Sequence, residues 1–235
     1  MLKFFYNSGP NPHKVALFLE EAGLDYEAVP LETRRGDQHK PEFLAINPNA
    51  KAPAMLDGDA VLFDSNAILL YLAEKTGKFL PGDSAVLRAE LLSWHMFVAT
   101  GIGPYSGQAV HFKLHAREQL DYAIGRYHFE ASRHFAILDD RLADREWLVG
   151  DSYTIVDMAL WGWARIATRV LGEETYDGFA NLKRHVETIN ARPAASRVAE
   201  LMQRFQFRMD VEEDARRNLF PGSYHHRTEG EPNQG

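Results

Sequence analysis

Residues 47–80, NPNAKAPAMLDGDAVLFDSNAILLYLAEKTGKFL, bring together groups able to hold a peptide. The residue before a proline is kept extended, so Ala52, ahead of Pro53, can present its backbone N–H and C=O to an extended ligand. Asp57-Gly58 is a strong hairpin signal and joins Met55-Leu56 to Val61-Leu62. Asp64 and Ser65 stand where an apolar helix begins, and there the unpaired backbone N–H groups favour an anion. The strip supplies peptide-like pairing and a carboxylate site. A small peptide with a free carboxylate suits it.

The chain has no cysteine, so any thiol chemistry must use a thiol carried by the ligand, and disulfides and thiolate metal sites are excluded. His111 and His115 are four apart on an expected helix, a metal-compatible spacing, but no third ligand joins them. They read as surface histidines, and no metal is expected. Gly101, Gly103 and Gly107 do not make a dinucleotide loop, because Pro104 intrudes and no strand precedes them. With 26 basic and 33 acidic residues the formal net charge is −7, which argues against nucleic acid or an anionic membrane as partner. No apolar run is long enough to span a bilayer. The opening MLKFFY passes directly into a strand pattern with no leader before it, so a cytoplasmic protein is expected.

The 235 residues are 45% hydrophobic and 11% aromatic, enough for a large globular core. Residues 2–6 are strand-like and lead into the turn cluster Asn7-Ser8-Gly9-Pro10-Asn11-Pro12. A helix is expected to about Ala22, with Asn11 as N-cap, Pro12 at the first position, Gly23 as the stop, and Val15, Phe18, Leu19 and Ala22 as its buried stripe. A second strand over 26–31, a charged loop over 32–40 and a short helix over 41–46 precede the hairpin, and a helix over 65–76 stopped by Gly77 follows it. This order predicts a small mixed sheet with helices on its faces.

After Pro81-Gly82 no convincing strand follows. Leu120, Ile124, Tyr127, Ala131, His134, Leu138 and Leu142 mark one long buried helical face. Thr154 to Asp157 resembles a capping box, with a helix over 158–170 behind it, and Arg192-Pro193 breaks another helix. The expected organisation is an α/β domain over 1–81 (βαβ-α-ββα), an all-α domain over 85–210, and a polar extension over 211–235 that becomes disordered.

The strings PNPHKVALFLEEAGLDY, GDQHKPEFLAINPNAKAPAMLD, FDSNAILLYLAEKTGKFL and AIGRYHFEASRHF, within a stretch from Leu2 to about Leu201, resemble the cytosolic glutathione transferases. The closest resemblance is to the bacterial nu class, which includes glutathione-dependent disulfide-bond reductases. That resemblance implies a thioredoxin-like first half and a homodimer that uses glutathione as substrate and redox partner. By the same resemblance, Asp64 takes the ammonium of the γ-glutamyl end, and Ser65 with the helix N-terminus takes its carboxylate. Ala52 pairs with the cysteinyl backbone beside a cis Pro53, and Gln38 and Lys51 meet the glycyl end. Asn11 stands near the sulfur, and Arg126 reaches the neighbouring subunit's site. Disulfide reduction is the preferred activity. Conjugation of hydrophobic electrophiles and hydroperoxide reduction are the alternatives, and a non-catalytic binding protein on this fold is the reading from another class.

A free thiol ionises with a pKa of about 8.5, so the site must favour the thiolate through a helix N-terminus and hydrogen-bond donors. The nu and phi classes carry Thr or Ser where this chain has Gly9. Asn11 with backbone N–H groups is therefore expected to be the main donor, with Ser8 next and Tyr6 in the core. The one-residue shift to Ser8 reverses the side-chain direction on an extended strand. Trp94, Tyr105, Phe112 and Trp163 are candidates for either the core or a substrate wall.

Overall fold

Four strands form one mixed sheet in the order β2-β1-β3-β4. They are β1 (Leu2–Tyr6), β2 (Tyr26–Pro30), β3 (Ala54–Asp57) and β4 (Ala60–Phe63). β1 runs parallel to β2, pairing Tyr6 with Pro30, and antiparallel to β3, pairing Phe5 with Ala54. The computed structural model describes residues 1–223; residues 224–235, with part of the expected disordered extension and His225 and His226, lie outside the described residues. α1 (Pro10–Ala22), α2 (Pro41–Leu44) and α3 (Ser65–Thr76) complete the first half. Two 3-10 turns, Thr33–Arg35 and Asp37–His39, organise the segment expected as a charged loop.

α1 starts two residues earlier than the cap rules suggest. Gly9 is the N-cap and makes no side-chain cap bond, Pro10 takes the first helical position, and Asn11 lies inside the first turn. Pro10 fits there because the missing N–H would have been unpaired in any case. Gly23 closes the helix at φ 66°, and its N–H reaches the Leu19 carbonyl.

Every residue from Pro12 to Leu19 is buried, not only the expected stripe. The cause is that α1 is covered on two sides, by α3 and by the helices α7 (Ile155–Ala164) and α11 (Pro193–Gln203) of the second half. One continuous apolar cluster runs through both halves, and a smaller one of Phe5, Leu31, Phe43 and Ala54 fills the other sheet face.

The second half is helical. α4 (Ala85–Phe97) continues through the π-helical turn Val98–Ile102 into α5 (Gly103–Val110), and a second such turn, His111–His115, ends it. α6 (Asp121–Arg141) carries the long buried face. The glycines set aside as a phosphate loop have packing roles. A Cβ at Gly101 would come within 2.3 Å of the His134 ring, and Gly103 and Gly107 lie against Trp163.

The capping box at Thr154 is present, and Asp157 is fully buried. Asp157 accepts from Leu148 N (2.9 Å), Thr154 N (2.8 Å), Thr154 Oγ1 (3.1 Å) and His185 Nε2 (3.0 Å). The single helix expected over 158–170 is instead two. α7 stops at Ala164, and α8 (Ala167–Leu171) begins after the non-helical Ile166. α9 (Glu173–Asp177), α10 (Ala180–Asn190) and α11 follow, with Pro193 at the first position of α11.

Beyond α11 the described residues 204–223 run back along the first half. Phe207 packs edge-to-face on Tyr6, Arg208 N donates to Glu32 Oε2 (2.7 Å), and α12 (Glu213–Leu219) lies against the Thr33–Arg35 turn. The polar composition of this strap conceals Phe205, Phe207, Met209 and Phe220, which supply its apolar contacts. Among the described residues no helix is long and apolar enough to cross a membrane.

Candidate functional site

Asp64 caps α3 from an unusual backbone, φ 68° and ψ 124°. Its Oδ1 accepts both Asn66 N (2.8 Å) and Ala67 N (3.2 Å), and these bonds leave Oδ2 for a cation. Positive φ on a residue with a Cβ costs energy, and such positions concentrate at functional sites. Ser65 is 3% exposed, at the first helical position, where its hydroxyl and the unpaired N–H groups favour an anion.

Lys14, from the middle of α1, lies beneath that point. It is 1% exposed and its Nζ donates to Ser65 Oγ at 3.4 Å. Burial pulls its pKa down to about 8, and the Asp64 carboxylate acts against that shift. His95 of α4 is also buried there. Its Nε2 bonds the Asn66 carbonyl at 2.9 Å, and its pKa is lowered mainly by burial.

The extended edge comes next. The Ala52–Pro53 bond is cis, and Pro53 leads directly into β3 beside β1. Among the described residues no hydrogen bond takes up the Ala52 N–H or C=O. The preceding turn is held by Asn47, whose Nδ2 donates to the Lys51 carbonyl (2.6 Å) and whose Oδ1 accepts Asn49 N (3.0 Å). The Lys51 side chain is exposed.

At the β1–α1 loop, Asn7 decides the geometry. Its Oδ1 accepts Gly9 N (2.9 Å) and its Nδ2 donates to Thr33 Oγ1 (3.2 Å). A Cβ at Gly9 would lie 2.9 Å from that Oδ1, so Asn7 occupies the space that a hydroxyl residue would need. Ser8 turns the other way, with Oγ 4.0 Å from Met209 Sδ of the strap. Asn11 is fixed by Trp163 of α7, whose Nε1 donates to Asn11 Oδ1 at 3.1 Å. With its oxygen engaged, the amide has Nδ2 as its remaining donor. Tyr6 is buried, and desolvation raises its phenol.

Gln38 is 3% exposed, and the strap covers it: its Nε2 donates to the Asn218 carbonyl at 2.7 Å. His39 Nε2 reaches the same carbonyl at 2.8 Å, and Asn218 Nδ2 donates to the Arg34 carbonyl at 2.9 Å. His115 is buried, contrary to the surface reading, because the Phe220 ring lies 5.5 Å from it and 4.5 Å from His111. Burial and the nearby Arg169 push the His115 pKa down to about 4.

The strap thus bridges the Gln38 wall and the α5 end. Arg126 stands apart on α6, ion-paired with Glu130, which also holds Arg133 at 2.9 Å. Among the described residues no group of three metal-ligating side chains converges.

Asn11, Ala52, Pro53, Asp64 and Ser65 are carried by neighbouring elements: the start of α1, the lead into β3 and the start of α3. Sequence reasoning missed Lys14, Asn7 and the strap. Of these only Asn7 left a local trace, since an Asn two residues before a glycine in a turn cluster often accepts that residue's N–H.

Residues 1–74 match the family model "Glutathione S-transferase, N-terminal domain" and residues 118–193 match "Glutathione S-transferase, C-terminal domain". The chain is 41% identical over 201 residues to the Escherichia coli (strain K12) disulfide-bond oxidoreductase YfcG, covering 83% of this chain and 92% of the relative. It is 37% identical over 215 residues to YghU, a disulfide-bond oxidoreductase of the same organism, covering 83% and 73%. A Pseudomonas fluorescens pf-5 glutathione transferase family member, solved with two glutathione bound, superposes with a TM-score of 0.80 at 40% identity, covering 85% of this chain and 92% of that one. A Pseudomonas putida glutathione transferase, solved with one glutathione disulfide per subunit, gives 0.79 at 34% identity, covering 85% and 91%. The chain belongs to the glutathione S-transferase family.

Proposed function

We propose that this protein is a glutathione-dependent disulfide reductase whose reacting sulfur comes wholly from its ligand. The observation that carries the proposal is the presence on neighbouring elements of an oriented amide at Asn11, an edge at Ala52 unpaired among the described residues and an anion-favouring helix start at Ser65, in a chain without cysteine. The disulfide-bond oxidoreductases among its relatives, and structural neighbours solved with glutathione or its disulfide, support the reading.

In this reading the γ-glutamyl carboxylate sits at Ser65 and the α3 N-terminus, with the ammonium at Asp64. The cysteinyl backbone pairs with Ala52. The sulfur lies at the start of α1, where Asn11 Nδ2 and the helix N-terminus favour the thiolate. That thiolate attacks one sulfur of the substrate disulfide, forming a mixed disulfide and releasing the other sulfur as thiolate. A second glutathione thiolate attacks the mixed disulfide, giving glutathione disulfide and the second product thiol. Asn7 in the space beside Gly9 removes a hydroxyl donor but leaves this exchange intact.

A homodimer belongs to the same reading. Val61 and Phe63 are exposed on the edge strand β4, an apolar edge that a second copy would cover, and the Arg126 guanidinium is half-exposed. So does a cytoplasmic location, where glutathione is kept reduced. The conjugation alternative draws on a cavity of about 480 Å³ beside Ser8, walled by Met202, Phe205, Phe207 and Met209, which suits an apolar electrophile.

The test is turnover of 2-hydroxyethyl disulfide with glutathione. Sustained turnover is expected. A protein that binds glutathione yet leaves the disulfide intact overturns the reductase reading and favours conjugation or binding alone.

A further inference from the structure

Lys14 has no part in the exchange just described, yet among the described residues it is the only lysine in the set of largest fully buried side chains. An unpaired buried ammonium is costly, and lysine reaches such depth only where the surroundings use its charge. Among the described residues no carboxylate bonds it directly. Its Nζ partner is the neutral hydroxyl of Ser65, and the Asp64 carboxylate acts on it only from a distance.

The space for its stem is built by a residue far along the chain. A Cβ at Gly162 of α7 would fall 2.4 Å from Lys14 Cγ and 2.7 Å from the Pro10 carbonyl. The fold thus reserves a channel that guides the ammonium to the underside of the α3 N-terminus.

The consequence follows from hydrogen-bond arithmetic. An ammonium has three donors and no acceptor, so in the bond with Lys14 the Ser65 oxygen must accept. The Ser65 proton is then free to point outward, toward an incoming acceptor. The same ammonium adds a full positive charge behind the partial positive charge of the helix end, in a site shielded from water.

We infer that Lys14 is a positioning residue for the carboxylate subsite, turning the Ser65 hydroxyl outward as a donor and charging the helix terminus from beneath. The inference rests on the glutathione reading of that subsite. Asp64 sets the other half of the selectivity, so together the two residues make the α3 start specific for a zwitterionic α-amino acid end.

The test compares glutathione with γ-aminobutyryl-cysteinyl-glycine, the same tripeptide without the α-carboxylate. Affinities are measured by calorimetry on the wild-type chain, Lys14→Met and Lys14→Gln, with circular dichroism to confirm folding. Wild type is expected to favour glutathione by about tenfold or more, the scale of a hydrogen bond to a charged group.

In Lys14→Met that preference is expected to fall to about twofold, with the affinity for the analogue nearly unchanged. Lys14→Gln keeps a donor for Ser65 without the charge, so its preference falls too, but less; it also carries the test if the Met variant does not fold. An unchanged preference in either folded variant overturns the inference. So does a parallel weakening of both ligands, which marks a purely structural lysine. If wild type does not distinguish the two tripeptides, the glutathione reading of this subsite fails, and the inference fails with it for that separate reason.

Discussion

Gln38 and Asn218 are hydrogen-bonded, side-chain amide to backbone carbonyl at 2.7 Å, although 180 residues separate them. A ligand that needs Gln38 must therefore compete with the strap. A chain ending at Glu212, without α12, is expected to bind glutathione about fivefold more tightly, the scale of one net hydrogen bond. Phe220→Ala, which loosens the far end of the strap from His111 and His115, is expected to act in the same direction with smaller effect. Titration calorimetry on the three proteins decides it, and equal affinities would show that Asn218 does not compete.

Asn11 and Trp163 form the second test. Asn11→Ala removes the amide at the sulfur and is expected to lower kcat/KM for 2-hydroxyethyl disulfide by about tenfold to a hundredfold. Trp163→Phe keeps an aromatic ring in α7 but deletes the bond that fixes the amide, and about a threefold loss is expected. Steady-state kinetics check both. Full activity in Asn11→Ala would move the thiolate donor to Ser8 or to backbone N–H groups.

Asp157 is expected to matter for stability alone. It is wholly buried and accepts four hydrogen bonds, and Asp157→Ala leaves the partnering groups orphaned. A loss of about 3–5 kcal/mol is expected in urea unfolding, with little change in the affinity for glutathione of the protein that remains folded.

Stability should also fall as acid is added. Burial first, then Arg165, holds the His13 pKa down at about 4, and its Nδ1 bonds the Gly9 carbonyl at 2.7 Å. An unfolded histidine takes up a proton near pH 6.5, whereas folded His13 resists it until about pH 4. Between those values the unfolded state binds more protons, so stability drops with pH, by up to about 3 kcal/mol for this residue. His95, His111 and His115 are shifted the same way and add to the slope. Urea midpoints at pH 7, 6, 5 and 4.5 measure it, and His13→Gln is expected to flatten the dependence.

The parts legible from the chain alone are those written in a few adjacent residues. The hairpin at Asp57-Gly58, the cap at Asp64 and the capping box from Thr154 to Asp157 each satisfy their own backbone groups, so local chemistry suffices. Asn11 is not the N-cap of α1 because Pro10 and Pro12, two residues apart, both suit an early helical position, and Pro10 takes the first. Lys14 could not be found this way, since its burial is caused by Gly162 and its meaning by Ser65, both distant in sequence. The strap was hidden for a similar reason. A few aromatic residues scattered among charges gain packing partners only once Tyr6, His111 and Gln38 are in place.

Because α1 is buried all round, it belongs as much to the second half of the chain as to the first. A fragment ending at Thr76 would bare the side of α1 that α7 and α11 cover, and would tend to aggregate rather than fold. The boundary between the halves is therefore a boundary of topology and not of cooperativity, and the whole chain is expected to melt in one transition. Chimaeras that exchange halves between relatives need to carry α7 along with its matching α1, since a side chain at Gly162 would collide with the Lys14 stem before any substrate arrived.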